Sequence, residues 1–124
     1  MENYLNITQL ARLRNATTET LRHYDRIGLL KPAYVDPGTG YRYYSTEQVE
    51  VFDTIMDLRD MGLPLKEIQE FMNHRNVENS YEILSKKADE LRQEIAEKQK
   101  MLLQIEQKTT YINMVKNEKL FSLK

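Results

Sequence analysis

Apolar positions along this chain follow three different rhythms, and each predicts a different kind of element. The first is a set of short helical groups. Asn6 and Gln9 stand at capping-box spacing ahead of Leu10, Ala11 and Leu13, so a helix is expected from about Ile7 until Arg14-Asn15-Ala16 breaks it. Thr17 offers a hydroxyl N-cap to a second helix, Thr18 to about Arg26, which stops at Gly28 just past its end. Two short helices joined by a tight turn have the form of a helix-turn-helix.

The rhythm then changes to alternation. Pro32 sets an extended entry, and Tyr34-Val35 and Tyr41 to Tyr44 read as strands about the turn formers Asp36-Pro37-Gly38-Thr39-Gly40. Side chains two apart share a strand face, which puts Tyr41 and Tyr43 on one side and Arg42 and Tyr44 on the other. One face can pack on the helices while the other reaches outward. Helical spacing returns after a second capping-box pair, Ser45 and Gln48. Val49, Phe52, Ile55, Met56 and Leu58 follow it, and Met61-Gly62 ends the helix. Beyond Pro64, the residues Leu65, Ile68, Phe71 and Met72 mark one more short helix. This pair of helices fits a second wing, with amides near Leu65 open to a phosphate, or equally a packed helical hairpin.

The third rhythm is the longest. From Glu78 to about Val115 there is no Gly and no Pro. Tyr81, Leu84, Ala88, Leu91, Ile95, Lys98, Leu102, Ile105, Thr109 and Ile112 recur there in steps of three and four. A helix of roughly 38 residues is about 57 Å long at ~1.5 Å per residue, too long for a small head to cover. A second copy of the chain is therefore the expected partner of this seam. Lys98 interrupts the apolar pattern near its middle and can fix register at a cost in stability, with Glu94 and Glu97 close enough to neutralise it. Tyr111, Met114, Leu120, Phe121 and Leu123 keep the tail apolar enough to pack on a partner's head or the seam's end.

Composition narrows the function classes. The 124 residues contain no Cys, which removes disulfides, zinc–thiolate sites and a catalytic thiol. No run of about 18 apolar residues is present to span a membrane. The start, MENYLNITQLARLRN, lacks the basic and apolar blocks of a signal peptide, so a cytoplasmic protein is expected. Two histidines without a thiolate, His23 and His74, make a poor metal pair, and neither metal nor cofactor is expected. The stretch Pro37-Gly38-Thr39-Gly40 sits in a hairpin turn, so it is no nucleotide fingerprint, and no catalytic constellation is found.

The net charge of −1 hides a division. Residues 1–45 hold six basic and four acidic side chains, residues 46–73 two basic and seven acidic, and residues 74–124 ten basic and eight acidic. The positive excess of the first part falls where Arg22, His23, Tyr24, Arg26, Lys31, Tyr41, Arg42, Tyr43 and Tyr44 cluster. All of these can bond phosphate oxygens, and a helix followed by a hairpin that carries them has the shape of a winged DNA-binding head.

The stretches LRHYDRIGLLKP, DPGTGYRYYS and DMGLPLKEI together resemble the MerR family of bacterial transcription regulators, within it the multidrug-responsive branch. The likeness covers residues 4 to about 75 densely and the long helix by type. It implies a mostly α fold: a winged helix-turn-helix head with a small β-hairpin wing (1–75), then a long coiled-coil dimerisation helix (76–115). A short tail without an effector domain (116–124) would end the chain.

The resemblance also implies a dimer with antiparallel long helices. Such a dimer grips pseudo-palindromic promoter DNA whose spacer is too long, bends and untwists it, and so acts on RNA polymerase indirectly through the DNA. Carried over by position, Thr18, Thr20, Arg22 and His23 lie on the groove-facing helix, and Arg22 and Tyr24 contact phosphate, with a core role the alternative for Tyr24 and Tyr43. Tyr41 and Arg42 form the tip of the first wing, with Tyr43 beside them, while Arg59, Gly62 and Leu65 form the second. Leu84, Ala88, Leu91, Ile95, Lys98, Leu102, Ile105 and Ile112 carry dimerisation.

His23 stands where an aromatic, commonly Tyr, is usual, and Met61 where relatives often have a phosphate-bonding Tyr. Drug-sensing members continue past the coiled coil, whereas only nine residues follow Val115 here. The expectation is a short regulator or a head-and-coil piece of a longer one, its small-molecule effector unknown. The competing reading is a coiled-coil interaction module whose head binds protein and not DNA.

Overall fold

The computed structural model describes residues 3–122, and side chains for residues 3–118. Its elements run β1 (Tyr4–Asn6), α1 (Ile7–Arg12), α2 (Thr18–Arg26), β2 (Tyr34–Val35), β3 (Arg42–Ser45), α3 (Thr46–Asp60), α4 (Leu65–Asn73) and α5 (Val77–Ser122). Two compact units divide between Ser80 and Tyr81.

In the first unit the capping signals act as expected. Asn6 Oδ1 accepts from the Gln9 amide at 2.8 Å while Gln9 Oε1 accepts from the Asn6 amide at 2.9 Å. Thr17 Oγ1 accepts from the Thr20 amide at 3.1 Å, and the Ser45 amide donates to Gln48 Oε1 at 2.9 Å. Gly28 (φ +76°) and Gly62 (φ +88°) take the left-handed conformation that closes α2 and α3. The turn between α1 and α2 needs the same conformation at Asn15, at φ 53°.

One strand escaped the pattern. Tyr4–Asn6 is too short to show alternation, yet it pairs antiparallel with β3, Leu5 opposite Tyr44, so the sheet order is β1-β3-β2. The central strand thus has neighbours on both sides, and Tyr44 is driven to the bottom of the core at 0% exposure. The same core holds Leu10, Leu21, Phe52, Ile55, Met56 and Ile68, each at or near full burial. Leu13, expected on the apolar side of α1, lies past the helix end and is 53% exposed.

The acidic α3 has a local counterweight. Arg14, from the turn before α2, donates through Nη1 to the Asp53 carbonyl (3.0 Å) and carboxylate (3.3 Å). Through Nη2 it reaches Asp57 at 2.9 Å and Asp60 at 3.3 Å. Three acids a helical turn apart are gathered on one guanidinium, which pins the helix-turn-helix to α3.

The second unit is formed by α5. The helix is 46 residues long and begins with Asn76 Oδ1 accepting from the Asn79 amide at 2.8 Å. It continues past Val115 to Ser122, because Lys116 to Phe121 include no Gly or Pro to stop it. Of the seam, Leu84, Leu91, Ile95, Lys98, Leu102, Ile105 and Ile112 are exposed and Ala88 is half-buried. Tyr111 and Met114 are exposed too, while the side chains of Leu120, Phe121 and Leu123 lie outside the described residues.

Candidate nucleic-acid interface

Helix α2 turns its apolar side, Leu21 and Tyr24, into the core, which presents the opposite side outward. A recess lies along each flank of it. The first, about 380 Å³, is bounded by Asn6, Ile7 and Thr8 at the start of α1, by Arg22 on α2, and by Gly40, Tyr41, Arg42 and Tyr43 of the wing. The second, about 460 Å³, runs between α2 (Thr20, His23, Tyr24, Arg26) and the α3–α4 corner (Arg59, Leu63, Leu65, Ile68).

Most of the expected site residues therefore gather on two grooves with α2 as the ridge between them. Arg22 Nη1 donates to Thr18 Oγ1 at 3.1 Å, so these two act together on the wing side. Thr20 shares a hydrogen bond between hydroxyls with Thr17, at 3.0 Å, on the other flank. Tyr41 is exposed on the wing, and the Tyr43 ring packs beside that of Tyr34 with centroids 6.1 Å apart. Gly62 supplies the turn that carries Leu65 to the second recess.

Two of the expected site residues are held on the inward side. Tyr24 is 4% exposed and belongs to the core. Burial pushes its hydroxyl above the ordinary tyrosine range, and the positive charge of Arg59 pulls against that shift. Arg42 shares its strand face with Tyr44, the inward one, and its Nε–H donates to Asp25 Oδ2 at 3.0 Å. It is held by α2 as part of the recess wall, where the resemblance implied a place at the wing tip.

Sequence reasoning passed over several neighbours. Asp25 anchors both Arg42 and, through Oδ1 at 3.6 Å, the Lys31 ammonium. Glu19 lines the second recess with Thr17 and accepts from Arg26 at 3.1 Å. Each is acidic, so a search weighted to basic and aromatic types does not pick it up. Among the described residues, no cluster of His, Cys, Asp and Glu is arranged to hold a metal. Nor is any helix there long and apolar enough to cross a membrane.

Comparison with known proteins matches residues 5–75 to the MerR HTH family regulatory protein model and residues 49–108 to the model described as MerR, DNA binding. The chain is 46% identical over 68 residues to the multidrug-efflux transporter 1 regulator of Bacillus subtilis, covering 55% of this chain and 24% of that protein. It is 37% identical over 105 residues to the transcriptional regulator BrlR of Pseudomonas aeruginosa, covering 82% and 39%. The chain thus spans about a quarter to two fifths of these relatives' lengths.

Among solved structures, MtaN, the N-terminus of the Bacillus subtilis multidrug transporter activator, superposes with a TM-score of 0.71 at 28% identity, over 83% of this chain and 95% of that one. EcmrR, solved as an EcmrR–DNA complex, gives a TM-score of 0.71 at 32% identity, over 86% of this chain and 39% of that one.

Proposed function

The chain belongs to the MerR family of helix-turn-helix regulatory proteins, and from that premise we propose that it works as a homodimeric, sequence-specific DNA-binding transcription regulator. The observation that carries this reading is the pair of recesses flanking α2, with Arg22 and Arg42 bounding one and His23 and Arg59 the other. A helix inserted in the major groove has a phosphate strand on each side of it, and cations in both flanking recesses suit both strands.

Residues 1–75 serve as the gripping head in this proposal, and the seam that α5 carries within 76–115 pairs with the same seam of a second copy. Six apolar seam side chains (Leu84, Leu91, Ile95, Leu102, Ile105 and Ile112) are exposed in the single chain, and burying each contributes on the order of 1.5–3 kcal/mol. A symmetric dimer requires a pseudo-palindromic site. As in its family, the dimer acts on RNA polymerase through the promoter, distorting an over-long spacer, with the deformation energy offset by the additional phosphate bonds that bent DNA makes to the protein.

The test is binding of the full chain to the promoter region of its own operon, followed by fluorescence anisotropy across a salt series. Arg22, Arg42 and Arg59 in both protomers make six phosphate contacts, so the slope of log K against log salt should be about −5. A flat salt response, or no preference over scrambled DNA from a protein that still dimerises, would transfer the assignment to a protein-binding module.

A further inference from the structure

At about 100° per residue, the direction opposite the buried Leu21 and Tyr24 on α2 falls on Glu19 and Arg26, with Arg22 and His23 to either side. Glu19 is 67% exposed and Arg26 57%. The side chain that points most directly away from the core in the first turns of this helix is therefore an acid. A carboxylate there is unfavourable for general DNA affinity, since it approaches a polyanion. Its exposed ion pair with Arg26 contributes little to the fold.

The geometry defines what that carboxylate still offers. Arg26 Nη2 donates to Glu19 Oε1 at 3.1 Å, while the nearest Arg22 nitrogen is 3.8 Å from Oε2, beyond hydrogen-bond reach. Oε1 accepts a hydrogen bond, and Oε2 accepts none although Arg22 lies beside it at ion-pair distance. A carboxylate only accepts, so it needs a donor. In the major groove, the donors on base edges are the amino groups of cytosine (N4) and adenine (N6). Adenine N7, an acceptor, lies beside its amino group and repels a carboxylate, as do guanine O6 and N7 and thymine O4. Cytosine alone presents an amino group with no acceptor of its own base beside it, the neighbour on its own ring being a C–H.

We propose that Glu19 is a specificity-determining residue of α2 that accepts a hydrogen bond from the N4 amino group of a cytosine in each half-site. This rests on the DNA-binding reading above, which supplies the groove but does not assign a base to any residue. Removing the carboxylate then erases one base preference and leaves general affinity intact or higher.

The experiment is selection of binding sites from a library randomised across both half-sites, using the full chain as wild type, Glu19→Ala and Glu19→Gln. Wild type should select cytosine at one position per half-site, and replacing that base with thymine should weaken binding roughly 5- to 150-fold, the usual cost of one mismatched base pair. Glu19→Ala should bind the two sites alike, with every other selected position unchanged. Glu19→Gln should move the preference to adenine, which offers the donor and acceptor pair that an amide matches. If Glu19→Ala selects the same sequence as wild type, the proposal is overturned and Glu19 only holds its neighbouring arginines. A wild-type protein that selects no sequence would instead overturn the DNA-binding reading itself.

Discussion

Asp25 on α2 and Arg42 on β3 are joined by a hydrogen bond of 3.0 Å, so the wing and the outward-facing helix share one charge pair. The pair is only partly exposed, 20% at Asp25 and 32% at Arg42, and the bond fixes the plane of the guanidinium at Nε. Four N–H donors of Arg42 are then available to a phosphate in the recess. Asp25→Ala should destabilise the fold by about 1.5–3 kcal/mol, as for other hydrogen bonds to charged groups. It should also weaken DNA binding, although it removes a negative charge. Urea unfolding and anisotropy measure the two. Tighter DNA binding by the variant would mean that Asp25 acts only as a repulsive charge.

Tyr44 leads to a prediction of the opposite sign. Its hydroxyl is buried and finds no hydrogen-bond partner among the described residues. An unpaired buried polar group costs about 1–3 kcal/mol, so Tyr44→Phe should be as stable as wild type or more stable. Tyr44→Ala should lose about 3–5 kcal/mol by opening a cavity.

The alkaline limb of stability checks the same hydroxyl independently. Burial, and secondarily the charge of Asp25, push its pKa up to about 12, against the opposing pull of Arg42 and Arg22. A raised folded-state pKa gives stability that is fully present below the ordinary value near 10 and lost as pH rises through about 12. Wild type should therefore weaken faster than Tyr44→Phe across that window, by thermal unfolding at stepped pH.

These particulars show what the chain makes legible. Capping boxes, turn glycines and helical spacing act within a few residues, so α1 to α4 could be read directly from residues such as Asn6, Thr17 and Gly28. Strand β1 could not, because three residues carry no period and its pairing with β3 bridges some forty positions. The facing of Arg42 was half legible: alternation groups it with Tyr44, but only the burial of Tyr44 against the helices says which face is inward. Glu19 was legible in principle, since Leu21 and Tyr24 define the buried side of α2. Treating Tyr24 as a phosphate contact as well as a core residue blurred that axis.

Arg14 holds three aspartates of α3, and its removal leaves Asp53 and Asp57 without it and Asp60 with only Arg59 beside it at 3.8 Å. Arg14→Ala should lower the melting temperature, with much of the loss restored by added salt. Adding Asp57→Asn to that variant should recover part of it at low salt, because one like charge leaves the group. Asp57→Asn alone should destabilise, since it removes the shortest of the three bonds, 2.9 Å. If Asp57→Asn instead has the same effect with and without Arg14, the clamp is not coupled.

The seam of α5 offers the last test, through its one charged member. Leu91, Ile95, Lys98 and Leu102 line a continuous strip with Glu94 and Gln99 at its side. A second copy laid on that strip must desolvate the Lys98 ammonium or let it reach past the seam to a carboxylate such as Glu94. Lys98→Leu should therefore tighten the dimer while relaxing its register, so that analytical ultracentrifugation shows a lower dissociation constant and species beyond the dimer appear. Leu102→Asp should do the reverse, giving a monomer that keeps its folded head and loses affinity for two-half-site DNA. It should still bind an isolated half-site weakly, as one head alone would. A Leu102→Asp protein that remains dimeric would place the interface elsewhere on the chain.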